Sequence, residues 1–115
     1  MSEIKKLTYH RDNLKSLEVD KKYQKLIIKK ADKKLIQSIC ECVLNVLNGN
    51  LPIKESDKQK LKKFRKPLHK LVQKSGLKNK RKILIQQGGL LPILIPSIIG
   101  GLATIISSII SRKSE

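Results

Sequence analysis

The sequence predicts an all-α protein: a small three- to four-helix bundle with a basic linker and an apolar C-terminal helical tail. Three observations lead there. Apolar residues between 20 and 76 recur at steps of three and four, the period of a helix face. Positive charge is concentrated between residues 54 and 82. Charge then vanishes, because residues 83–111 carry no ionisable side chain of either sign. The chain divides accordingly into an N-terminal arm or short helix (1–19), a basic helical bundle (20–76), a basic linker ending in Gly-Gly (77–89) and an apolar tail (90–115).

The first segment, LTYHRDNLKSL, has sparse apolar residues and suits a turn or two of helix. VDKKYQKLIIKKA follows, with Tyr23, Leu26, Ile27 and Lys30 at helical spacing and Asp20 placed to cap a short helix. The strongest periodic element is ADKKLIQSICECVLNVLNGN. Ile36, Ile39, Cys40, Val43 and Leu47 share one face, and Leu35, Cys42 and Val46 widen it. A helix apolar over so much of its circumference belongs at the centre of a bundle. Asp32 is its expected N-cap. Asn48-Gly49-Asn50 is a stop, with Gly49 able to adopt the left-handed conformation, and Pro52 prevents resumption.

KESDKQKLKKFRKPLHKLVQKSG comes next. Ser56 followed by Gln59 matches a capping box. Leu61, Phe64, Leu68 and Leu71 form a narrow apolar seam, opposed by Lys58, Lys62, Lys63, Arg65, Lys66, Lys70 and Lys74. Pro67 lies inside the pattern and is expected to kink or split the helix. Gly76 ends it. Lys78, Lys80, Arg81 and Lys82 then form a basic knot before the tail.

Charge sets the function class. The 115 residues carry 26 Lys and Arg against 9 Asp and Glu, a net charge of +17. By zone the net charge is +5 over 1–53, +11 over 54–82 and +1 over 83–115. Like charges one helix turn apart destabilise a helix, and a solvated surface normally mixes signs. One-sign clustering is the footprint of a phosphate-backbone binder. Lys outnumbers Arg 22 to 4. Lys acts on phosphate as a point charge, whereas Arg forks read guanine edges, so the expected mode ignores sequence. Tyr9, Tyr23 and Phe64 are the whole aromatic complement, too few for a reader that stacks successive single-stranded bases.

No catalytic constellation is present in the sequence. His10 and His69 are isolated, no Gly-rich phosphate loop or nucleophile motif occurs, and no metal or cofactor is expected. Cys40 and Cys42, two residues apart with no second pair, read as small apolar core residues. MSEIKKLTYHRDNLK has no apolar h-region, so a cytosolic start is expected.

The tail admits several uses. Residues 90–110 are long enough for a ~30 Å hydrocarbon core, Lys78 to Lys82 suit the cytosolic side, and small residues from Gly100 to Ser108 allow close helix contact. Pro92, Pro96 and the Gly pairs work against a regular span.

GGLLPILIPSIIGGLATI, residues 88–105, resembles the C-terminal part of the precursor of adenoviral core protein X, or mu. In that family a Gly-Gly precedes an apolar Leu-Pro-x-Leu-Ile-Pro run, and a short, very basic segment before it condenses the viral DNA. Gln86-Gln87-Gly88-Gly89 followed by Leu90 is also similar to sites cut by adenovirus-type maturation proteases. The resemblance makes Gly88, Gly89 and Leu90 a candidate cleavage site. The front part departs from that Arg-rich, bundle-free family. ADKKLIQSICECVLNVLNGN is similar instead to small basic proteins of Polinton or Maverick-type elements and related animal DNA viruses. The resemblances imply a DNA-packaging protein of the nucleus or virion, with duplex DNA, capsid proteins and a maturation protease as partners. The alternatives from other classes are a tail-anchored, cytosol-facing membrane protein and an RNA-binding protein.

Overall fold

The computed structural model describes residues 3–114, and every regular element among them is helical. They are α1 (Glu3–Leu14), a 3-10 turn (Lys15–Leu17), α2 (Lys21–Lys29), α3 (Lys33–Leu47), α4 (Glu55–Leu61), a second 3-10 turn (Lys62–Phe64), α5 (Arg65–Val72), α6 (Leu77–Gln86) and α7 (Leu91–Ser114). The all-helical expectation holds; the expected three or four helices become seven α-helices among the described residues. The excess has three sources. The arm is helical, the linker is helical, and the basic helix is divided.

α3 behaves as its pattern requires. Leu35, Ile36, Ile39, Cys40, Cys42 and Val43 are all buried. The Asp32 carboxylate accepts from the Leu35 backbone N–H at 2.9 Å, satisfying one orphan donor of the first turn. Gly49 has φ of 73°, the left-handed stop that only glycine adopts without strain. α1 packs on α3 through Leu7, His10 and Leu14, spaced by three and four.

α2 turns its other face inward. Gln24 and Ile28 are buried, while Tyr23 and Leu26 are 49 % and 54 % exposed. The rotation is fixed by hydrogen bonding: the Gln24 side chain donates to the Leu17 carbonyl at 2.9 Å, tying α2 to the first 3-10 turn. Asp20 holds the N-cap position without a side-chain cap bond. The capping box also fails. α4 starts at Glu55, before Ser56, and Gln59 donates to the Glu55 carboxylate at 3.3 Å.

The division of the basic helix falls before Pro67. A 3-10 turn separates α4 from α5, which places Pro67 third in α5. The missing N–H of a proline does no harm in a first turn. Leu61, Leu68 and Leu71 of the predicted seam are buried, and Phe64 is half-buried.

α7 is the largest departure. From Leu90 to Leu102 the tail lies in the same core as α3 and α5: Leu90, Leu91, Leu94, Ile95, Ile98 and Leu102 are at most 4 % exposed. The helix packs against α1, α2 and α4. Pro92, Pro96, Gly100, Thr104, Ser107 and Ser111 fall on one exposed stripe. Pro96 leaves the Pro92 carbonyl without its helical donor, and on that stripe water can serve it. Gly101 faces inward, against Leu51 and Pro52. The radius of gyration is 13.9 Å, close to the ~13 Å of a compact chain this long.

Candidate nucleic-acid interface

α5 is the centre of the cationic surface. Its buried Leu68 and Leu71 dock it on α3 and α6. That leaves Arg65, Lys66, His69, Lys70 and Gln73 along one shallow, solvent-facing depression. The spacing of one, four and five residues makes this a single stripe of one helix. Before it, Lys58 of α4 and Lys62 and Lys63 of the 3-10 turn are exposed; after it come Lys74, then Lys78 and Lys82 of α6. Nine of the eleven predicted cations are therefore exposed. The remaining two, Lys80 and Arg81, are half-buried.

Ion pairing leaves the exposed cations available. Lys58 lies 4.0 Å from the Glu55 carboxylate, in a solvated i,i+3 pair. Among the described residues Lys62, Lys63, Arg65, Lys66, Lys70, Lys74, Lys78 and Lys82 have no ion-pair partner. Ion pairs also form on α1 and the turn after it, where Asp12 sits 3.7 Å from Arg11 and 3.8 Å from Lys15.

Arg81 has a different duty. Its Nε donates to the Ala31 carbonyl at 3.1 Å, and its Nη2 donates to the same oxygen. That bond clamps α6 to the end of α2. Lys80 turns toward α3, where its ammonium partly offsets the upward push of burial on the Cys40 thiol. Burial, with Glu41 adding to it, raises Cys42 to about 12. Both cysteines are free, buried and protonated at neutral pH, so they pack as small apolar groups.

α2 contributes cations that sequence reasoning left out. α6 packs between α5 and α2, and Lys21, Lys22, Lys25 and Lys29 of α2 are exposed. The signal was present as four lysines in nine residues. Their place beside the main cluster depends on tertiary packing alone.

The candidate cleavage site occupies the turn between α6 and α7. Gly88 and Gly89 are exposed, but Leu90 is fully buried. The Leu90 N–H donates to the Gln87 carbonyl at 2.9 Å, and the Leu90 carbonyl accepts from Leu94 at 2.8 Å. Cutting after Gly89 requires this turn to open and Leu90 to leave the core. The released α7 would take with it the core side chains from Leu90 to Leu102.

α7 also has the dimensions of a span. Leu91–Arg112 has mean hydropathy 2.2 and is long and apolar enough to cross a membrane, with 44 % of its apolar window buried in the fold. Comparison with protein-family models, curated proteins and solved structures finds no match.

Proposed function

We propose that this chain is a non-enzymatic protein that binds and condenses duplex DNA with little regard to sequence, in the manner of a virus-like core protein of the nucleus or virion. The supporting observation is the run of eight exposed cations from Lys62 to Lys82 that have no ion-pair partner among the described residues, with the lysines of α2 flanking α6. Lysine dominates that surface, which favours neutralising phosphate over reading bases. The resemblance of residues 88–105 to the core protein X precursor supports the same reading. It adds capsid proteins and a maturation protease as proposed partners.

The test is binding of the full chain to random duplexes of differing sequence across a salt series. About eight neutralised phosphates give a log–log slope of roughly −7, equal for all sequences. A flat slope overturns the reading, and a strong preference for structured RNA replaces it with the RNA-binding one. Truncation at Gly89 is unsuitable, because it removes core side chains.

The length and hydropathy of α7 favour a second reading, a tail-anchored protein whose basic helices lie on anionic lipid. Flotation of the full chain with anionic vesicles, together with absence of DNA binding, selects it.

A further inference from the structure

A second depression opens over α3, and none of the residues of the α5 stripe lines it. Its volume of about 520 Å³ is in the range of small-molecule sites. Lys6, Lys33, Lys34 and Lys80 line it, drawn from α1, α3 and α6. Leu44, Val72 and Leu77 give it apolar wall, and Glu41 is its one carboxylate. Tyr9 lines it with 41 % of its surface exposed, its ring edge-on to His10 at 5.5 Å between centroids.

A buried polar network supports that wall. His10 is 9 % exposed, and its Nδ1 lies 2.9 Å from Ser38 Oγ. Asn13 Nδ2 donates to the same oxygen at 2.9 Å. Ser38 Oγ has two lone pairs and one hydrogen, so it serves Asn13 and His10 Nδ1 together in either tautomer of the ring. Nε2 is buried and has no partner among the described residues. A buried ring nitrogen left without a partner is costly in either tautomer, and native proteins hold few such groups.

The lining selects a ligand chemistry. Four ammonium groups around one carboxylate favour an anion, and lysine binds phosphate as a point charge. A bare phosphate would leave the Tyr9 ring and the apolar wall unused. An acidic peptide would meet Glu41 with like charge. A nucleoside phosphate uses all three features: phosphates on the lysines, the base face on Tyr9 and the apolar wall, and an exocyclic amino group donating to Glu41. We propose that this groove binds a nucleoside phosphate, as a free nucleotide or as the terminal unit of a strand. The site stands independently of the duplex-binding reading.

The test is amide chemical-shift titration of the full chain with dATP, inorganic triphosphate, deoxyadenosine and a 5′-phosphorylated single strand. The expected result is saturable shifts at Tyr9, His10, Ser38 and Glu41. dATP should bind about tenfold more tightly than triphosphate, one base–aromatic stack in size. Tyr9→Ser should abolish that ratio, and the pair Lys33→Glu and Lys34→Glu should abolish both bindings. These side chains are exposed, and unchanged far-UV dichroism confirms that the variants fold. Lys66→Glu with Lys70→Glu on α5 should leave dATP binding unchanged. Tighter binding of the single strand than of dATP assigns the site to strand ends; the reverse assigns it to free nucleotide. Triphosphate binding as tightly as dATP, or shifts confined to α5, overturns the proposal. So does displacement of dATP by polyglutamate at equal concentration, which would mark an acidic-peptide groove.

Discussion

Gly100 and Gly101 are adjacent in α7, and their replacement by alanine should move stability in opposite directions. A Cβ at Gly100 meets nothing within 4 Å. Alanine in an exposed helix interior is favoured over glycine by about 1 kcal/mol, so Gly100→Ala should stabilise by up to that amount. A Cβ at Gly101 would lie 2.7 Å from the Pro52 carbonyl oxygen and 2.9 Å from Leu51 Cγ. The propensity gain is the same, but a backbone oxygen cannot swing aside as a side chain can. α7 or the Leu51–Pro52 segment must shift, and such overpacking costs roughly 1–3 kcal/mol. The expected net for Gly101→Ala is a loss of up to about 2 kcal/mol, after subtracting the propensity gain. For a chain of this size 1 kcal/mol corresponds to about 4 °C in Tm. Thermal unfolding of the full chain, followed by far-UV dichroism at neutral pH, reads both shifts. If both alanines raise Tm equally, α7 does not rest on Leu51 and Pro52 in solution. The assignment of the apolar segment to the core would then be refuted.

The other expectations concern charge and protons. Lys66→Ala and Lys70→Ala should each weaken duplex binding uniformly across sequences and reduce the salt slope by about 1; an unchanged slope would remove α5 from the interface. Arg81→Ala should destabilise by about 1.5–3 kcal/mol, the range for a hydrogen bond from a charged group, whereas Lys82→Ala, which removes only an exposed side chain, should stay within about 0.5 kcal/mol in urea unfolding. Burial, with Lys6 assisting and Glu41 opposing, holds His10 below its ordinary 6.5. The unfolded chain therefore binds that proton first as pH falls. The contribution is intact above pH 6.5 and declines below it. Tm should drop on acidification through that point, and His10→Gln should flatten the drop; an equal drop in both proteins would sink the assignment.

The legible parts of the fold were those where one local rule sufficed. α3 could be read because its apolar arc, its Asp32 cap and its Gly49 stop all agree. α2 could not, because Tyr23 and Leu26 outweigh Gln24 in hydrophobicity, and a tertiary bond from Gln24 to Leu17 reverses the face. The basic stripe of α5 was legible from charge alone. The inward turn of Arg81 was not, since nothing in Lys80-Arg81-Lys82 marks which cation meets a carbonyl fifty residues away. The core role of α7 does have a signal in the sequence. Pro92, Pro96, Gly100, Thr104, Ser107 and Ser111 recur at steps of three and four. Taken singly they weaken a membrane span; taken together they are the wet face of an amphipathic helix whose polar residues are small and uncharged.

That stripe bears on what the apolar segment can do. Leu94, Ile95, Ile98 and Leu102 cannot lie in acyl chains while they are packed against the bundle. Membrane insertion and the folded core are thus mutually exclusive states of one helix. Withdrawing α7 exposes the faces of α1, α2 and α4 that it covers, and a bundle this small cannot replace that burial. Proteolysis after Gly89 meets the same barrier, because Leu90 must leave the core before the bond can enter an active site. Any agent that holds the bundle closed therefore opposes both events. A polyanion bound to the cations from Lys62 to Lys82 is such an agent, since neutralising their mutual repulsion favours the compact state. DNA binding and protection of the Gly89–Leu90 bond should consequently be coupled, with the basic face controlling the fate of the apolar helix.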